Sequence, residues 1–160
     1  METGSKTIIR RARPGDDAAL RDILRGTIAG TWLPVITPEA VRAYHDRDLP
    51  ADYVADRGSH FWVAERNGEV IGLVDWQDDF IDALHVHPQH ARQGIGAALM
   101  DKAEHEIGTA GHAEARLETD TFNLASRAFY AARGYREIEQ YPDTEWNSGL
   151  TTLLLAKQLR

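Results

Sequence analysis

The chain has 160 residues, with 18 Lys and Arg against 25 Asp and Glu, a formal charge of −7 and no cysteine. That length predicts one domain; 42% apolar residues suffice for a packed core; and the charge excludes nucleic acid as main partner, because phosphate binding needs clustered Lys and Arg, while favouring cationic partners at long range. The missing cysteine excludes disulfides, thiolate metal sites and a cysteine nucleophile, and the lack of a signal-like stretch in residues 1–10 or of any run near the roughly 20 apolar residues of a membrane span predicts a soluble, cytoplasmic protein with no membrane partner.

In chain order, residues 8–12 read as a short strand, which Pro14-Gly15-Asp16 ends. Asp16 is a good N-cap for the helix that follows, since its carboxylate can accept from free amides of the first turn. In that helix Leu20, Ile23, Leu24 and Ile28 recur at helical spacing, with Gly30 as the stop. A second helix starts at Thr37-Pro38, where a missing N–H costs nothing, and puts Val41 and Tyr44 on one face. Residues 49–58 are polar and carry no clear pattern.

A meander fills the middle. Residues 61–64 form a strand, Asn67-Gly68 a type I′ hairpin turn, residues 70–76 the next strand, Asp78-Asp79 a further turn, and residues 80–87 a third strand stopped by Pro88. The pattern then alternates helix and strand: a helix opened by Gly94-Ile95-Gly96, a loop over 108–112, a strand over 115–119, a helix over 125–133 capped by Gly134, and closing strands over 135–141 and 150–159. Leu153-Leu154-Leu155 in the last strand predicts burial on both faces. Hairpins followed by strand, helix and strand predict an α/β (α+β) fold: a mixed, mostly antiparallel sheet flanked by about four helices.

The segment from Leu84 to Met100 carries the chemistry. A strand enters a loop with two glycines, and the loop enters a helix. Glycine lets backbone approach a ligand closely, and a helix start offers free N–H groups with a partial positive charge, which together suit a pyrophosphate. Arg92 adds charge at the rim. A dinucleotide fingerprint would need a small residue where Leu99 stands, and a P-loop would need Gly-Lys followed by Ser or Thr, which is absent.

The order of these residues resembles the GNAT superfamily of acyl-CoA N-acyltransferases. That family has a strand ending in Val-x-Pro, then Gln/Arg-x-x-Gly-x-Gly/Ala and a helix; here these are Val86-His87-Pro88 and Ala91-Arg92-Gln93-Gly94-Ile95-Gly96. Asn123, Ala125, Phe129-Tyr130 and Gly134-Tyr135 match its later motif, and the resemblance spans residues 7–160 as a single N-acetyltransferase domain. It implies acetyl-CoA as co-substrate, an amine acceptor and the option of a homodimer. It implies that Ala91, Arg92, Gln93, Gly94, Ile95, Gly96 and Ala97 cradle the pyrophosphate. Leu84, His85 and Val86 would pair with the pantetheine arm where their strand splays from the one at Leu117, the Val86 N–H would face the thioester carbonyl, and Asn123 would contact the cofactor from the other side. Tyr130 would be the general acid.

There are two departures. Ala91 stands where the family has Gln or Arg, and Phe80 stands where it commonly has a Glu base. Asp82, two residues on and by strand alternation on the same face, is the first choice for the base, with Glu118 and Asp120 behind it. A non-catalytic acyl-CoA sensor is the alternative reading. The His85-x-His87-x-x-His90 pattern resembles a metal motif, but those positions flank the acyl-CoA strand, and no carboxylate or cysteine completes the set. The four tryptophans read as core or pocket wall, since no basic patch accompanies them, and Trp32 lies where the resembled family builds its acceptor pocket.

Overall fold

The computed structural model describes residues 6–144 and 146–159. Its elements run β1 (Thr7–Arg11), α1 (Asp17–Thr31), α2 (Pro38–Asp46), α3 (Leu49–Arg57), β2 (Trp62–Arg66), β3 (Glu69–Gln77), β4 (Phe80–Val86), α4 (Ile95–Thr109), β5 (Glu114–Asp120), α5 (Leu124–Ala132), β6 (Arg136–Pro142) and β7 (Thr151–Gln158). One seven-stranded sheet has the order β1-β2-β3-β4-β5-β7-β6. Every neighbouring pair is antiparallel except β4 with β5. The sheet is therefore mixed and mostly antiparallel, as the patterning predicts. The described residues hold five α-helices rather than about four, because residues 49–57 form α3. No described helix is long and apolar enough to cross a membrane.

Two apolar clusters sandwich the sheet. Ile95, Leu99, Met100, Ala103 and Ile107 of α4 pack with Val74, Leu117, Leu153 and Leu155 on one side. Leu20, Ile23 and Leu24 of α1 pack with Val54, Val63 and Leu73 on the other. Leu154 is only half-buried, so the last strand is not covered on both faces as expected. α5 reaches the first cluster through Tyr130, and the helix spacing read in the sequence is what brings these stripes to the sheet.

Local chemistry explains the ends of the elements. Thr37 caps α2 by accepting from the Ala40 amide at 3.2 Å, and Asn67 and Gly68 both take positive φ, 53° and 78°, in the hairpin. Asp16 does not cap α1. Its carboxylate instead takes two bonds from the Arg10 guanidinium and one from the Arg13 amide, because a cation on the neighbouring strand outcompetes weakly polarised helix amides. α1 also runs through Gly30 to Thr31, and its last turn closes when the Trp32 amide donates to the Ile28 carbonyl.

The feature that positions the site is a bulge in β4. β3 and β4 pair as Gln77 with Phe80, Trp76 with Ile81 and then Asp75 with Ala83. Asp82 is thus an extra residue pushed out of the ladder, and such a residue bends its strand and increases local twist. The pairing of β4 with β5 covers only Phe80 with Arg116 and Ile81 with Leu117. From Asp82 onward the two strands part. The bulge also resets the strand's phase. Leu84 and Val86 turn to the α4 cluster, and Ala83 turns to the α1 cluster. Strict alternation from Phe80 therefore does not describe Asp82, which sits at the phase break.

Candidate active site

The gap between β4 and β5 opens into a cavity of about 770 Å³. Hydrogen bonding follows the parity of the strand. The His87 amide donates to Ile71 on β3 at 2.8 Å. Amides two residues apart on a strand point the same way, so those of Leu84 and Val86 point to the opposite edge, where β5 has moved away. The gap thereby presents a row of unpaired backbone groups ready to bind an extended ligand as an added strand.

At the end of this gap lies the start of α4. Gly94 is its N-cap residue, with φ of 79° and no side-chain capping bond. The first intrahelical bond runs from the Ala98 amide to the Gly94 carbonyl, so the amides of Ile95, Gly96 and Ala97 precede it. Arg92 also holds a positive φ of 64°. A loop bent this way directs successive N–H groups into one concavity, and the uncapped helix end adds partial positive charge. An anion is the natural complement to that surface.

Leu84, His85, Val86, Ala91, Arg92, Gly94, Ile95, Gly96, Ala97, Asn123, Asp82 and Tyr130 all line this one cavity. Gln93 is absent from its wall. Its side-chain oxygen instead accepts from the Arg66 guanidinium of the hairpin, a long-range partner that the loop motif does not reveal. Asn123 lines the cavity, but its Oδ1 is engaged in capping α5 through the Ser126 amide at 3.1 Å.

Tyr130 sits in the last turn of α5 and is only 8% exposed. Gly134 takes φ of 96° and lets the chain reverse, so that the Tyr135 amide donates to the Tyr130 carbonyl and the two rings meet edge to face at 5.6 Å. Tyr135 is anchored in turn by its hydroxyl on Glu104 at 2.9 Å. Tyr53, Tyr135 and Tyr141 each donate to a carboxylate. The Tyr130 hydroxyl has no such partner among the described residues, while the residue lines the cavity. Burial pushes this phenol above its ordinary range.

A second cavity of about 590 Å³ adjoins the first. Trp32, Asp82, His85, Glu118 and Asp120 line both, so they mark the junction. Desolvation raises the carboxyl pKa of Asp82, opposed by a bond from the Gln77 amide group at 2.9 Å. Burial likewise raises that of Asp120, opposed by the Trp32 indole N–H at 2.8 Å. Glu118 accepts from the Tyr141 hydroxyl. Two ring nitrogens are buried without a hydrogen-bond partner among the described residues: His90 Nδ1 on the wall of the first cavity and Trp146 Nε1 on that of the second.

His85 and His87 do not form a pair. β4 ends at Val86, and the His87 Nδ1 accepts from the Gln89 amide. His85 meets Thr27 Oγ1 of α1 at 2.7 Å. No group of three His, Asp or Glu side chains among the described residues is arranged to hold a metal. Burial lowers the His85 pKa to about 4. The folded state therefore holds this ring neutral while the unfolded chain protonates it near its ordinary 6.5. Stability is full above about pH 6.5 and falls as pH drops towards 4. The expected loss is about 2 kcal/mol, less than a fully dry site would give because the ring borders the cavities. Urea titrations between pH 7 and pH 4 measure it, and His85→Gln should flatten that part of the profile.

Comparison with known proteins decides the family. The acetyltransferase (GNAT) family matches residues 27–135, more than half of the sequence. This chain belongs to that family. Human N-acetyltransferase 8 is 31% identical over 103 residues, covering 58% of this chain and 45% of that protein. The chain thus spans about half the length of the mammalian relatives it matches. In fold, this GNAT chain superimposes on a GCN5-related N-acetyltransferase from Rhodopseudomonas palustris with a TM-score of 0.78, at 21% identity and with 99% of each chain covered. It superimposes on the PaiA N-acetyltransferase from Thermoplasma acidophilum, solved in complex with coenzyme A, with a TM-score of 0.74, at 18% identity and with 96% of this chain and 99% of that one covered.

Proposed function

We propose that this GNAT protein transfers the acetyl group of acetyl-CoA to a primary amine within a ternary complex. The observation that carries this reading is the single cavity in which the parted edge of β4 meets the uncapped start of α4. The free amides of Ile95, Gly96 and Ala97 fit a pyrophosphate, with Arg92 at the rim. The edge at Leu84 to Val86 fits the amide groups of a pantetheine arm. Asn123 lies across the cavity from that edge and contributes contact surface.

In this reading the Val86 amide donates to the thioester oxygen, where negative charge develops as the amine adds. Asp82 takes the proton that the incoming ammonium must lose, and desolvation, which raises its pKa, makes it a stronger base than a free carboxylate. Tyr130 gives its phenolic proton to the departing sulfur. The C–N bond forms, the C–S bond breaks, the second proton leaves the nitrogen and restores the Tyr130 phenol by way of solvent in the cavity, and the products are an acetamide and a free thiol. The second cavity, with Trp32 at its mouth, receives the body of the acceptor.

The test is release of free thiol from acetyl-CoA across a panel of primary amines. Acceptor-dependent thiol release supports catalysis. Tight acetyl-CoA binding with no transfer to any amine assigns the chain instead as a sensor, the reading that Ala91 and Phe80 favour. Gly96→Val checks the cradle. A Cβ at Gly96 would lie 3.5 Å from the Phe129 ring, an ordinary contact, so the fold tolerates it. The further methyls would crowd the amide concavity. The expected result is an acetyl-CoA Kd raised about tenfold or more by calorimetry, with little change in melting temperature. An unchanged Kd removes this loop from the binding site.

A further inference from the structure

We infer that the acceptor is a monocationic primary amine on an apolar or aromatic body, with no carboxylate beside the amine. The inference rests on the acetyltransferase reading and deepens it. It comes from how charge is distributed along the second cavity. At the junction with the first cavity stand three carboxylates, Asp82, Glu118 and Asp120, and no Lys or Arg side chain lines both cavities: Arg92 is on the wall of the first alone and Arg47 on that of the second alone. Their hydrogen bonds use neutral donors: Gln77, Tyr141 and the Trp32 indole. The negative charge at the junction is therefore not cancelled by an ion pair on any of the three. An ammonium placed there is attracted from several sides. A carboxylate on the adjacent carbon would sit among those same groups and be repelled, and like-charge juxtaposition discriminates strongly between otherwise similar ligands.

The far part of the cavity is of different character. Tyr44, Tyr53, Phe80 and Trp146 line it with Leu24 and Leu150. Asp143 is also on the wall, where it accepts from the Ser148 hydroxyl and from the Trp146 and Ser148 amides, and its charge is matched there by one cation, so the far part carries one charge of each sign against three negative ones at the junction. Arg47 is the cation there. A second ammonium on the acceptor would lose water against aromatic and aliphatic walls and meet Arg47, whereas an aryl ring would gain contact on several faces. The volume of about 590 Å³ is that of a small-molecule site rather than a surface for folded protein.

Calorimetry on the full chain saturated with free coenzyme A separates binding class from catalysis. The probes are phenethylamine, phenylalanine and spermidine. Phenethylamine is expected to bind about tenfold or more tighter than either of the others. The double variant Glu118→Gln/Asp120→Asn should shrink the preference for phenethylamine over phenylalanine to about threefold or less, since it removes two of the repelling charges. Equal or tighter binding of phenylalanine or spermidine overturns the assignment, as does binding of none of the three. Thiol release with the same amines keeps the two claims apart. Transfer to phenylalanine in preference to phenethylamine overturns the acceptor class and leaves acetyl transfer standing. Selective binding of phenethylamine with no transfer to any amine of the panel overturns the catalytic reading, and the acceptor assignment with it, and leaves only the cavity's preference for a monocationic amine.

Discussion

Tyr130→Phe is expected to lower kcat by about 100-fold or more while acetyl-CoA binds with a Kd within about twofold of the parent, the scale set by loss of a positioned proton donor. The argument begins with what the substitution leaves intact. The ring keeps its edge contact with Tyr135 and its place in the α4-side core. The hydroxyl has no hydrogen-bond partner among the described residues, so its removal orphans no buried group and should change stability by about 1 kcal/mol or less. What is lost is one proton facing the cavity. Because burial raises the phenol's pKa, the proton is held throughout the neutral and mildly basic range. Any fall in activity of the parent between pH 8 and pH 9.5 therefore belongs to another group. Pre-steady-state kinetics of thiol release would measure the effect directly. A kcat unchanged in Tyr130→Phe would move the acid elsewhere, and solvent in the cavity would be the next donor to consider.

What could be read from the residues alone depended on whether the determinant was local. Asn67-Gly68 and Thr37-Pro38 announce their turns because positive φ and a lost N–H are properties of those residues themselves. The α4 loop was legible for the same reason: Gly94 must take a left-handed conformation to end the loop and start the helix. The missed features are all set at a distance. α3 has a weak apolar pattern, and Pro50 and Val54 are its buried residues, so little in residues 49–57 announces a helix. Asp16 reads as a helix cap in the sequence, but its partner Arg10 comes from the adjoining strand. Gln93 is drawn off the cavity wall by Arg66, 27 positions earlier. The bulge at Asp82 has no Gly or Pro to mark it, yet it governs both the parting of β4 from β5 and the phase of every side chain that follows. The match of His85 with Thr27, across 58 positions, was equally invisible.

Arg57→Ala is expected to cost about 3–5 kcal/mol of folding stability, the range for breaking one side of a buried ion pair. Asp75 lies in β3 opposite the bulge and is 0% exposed. A carboxylate cannot remain ionised there without compensation. Arg57, the last residue of α3, supplies it with bonds of 2.7 and 3.1 Å to the two carboxylate oxygens and a third to the Trp76 carbonyl at 3.2 Å. Tyr53 completes the set at 2.7 Å. Removing the guanidinium leaves one phenol to stabilise a buried charge. For a chain of this length the loss corresponds to a melting temperature lower by roughly 6–20 °C. The same contacts tether α3, whose Leu49, Pro50 and Tyr53 form part of the second cavity, proposed above to receive the acceptor, to the strand that carries the bulge's partner residues. The acceptor KM should consequently rise more than the acetyl-CoA KM in the fraction that stays folded. The double variant Arg57→Met/Asp75→Leu should recover much of the stability, because it removes the charge along with its partner. It should not recover the acceptor KM, since the tether to the Trp76 carbonyl is gone. A loss below about 1 kcal/mol in Arg57→Ala would mean that Tyr53 alone satisfies Asp75, and α3 would then be held by its apolar contacts with α1 rather than by charge.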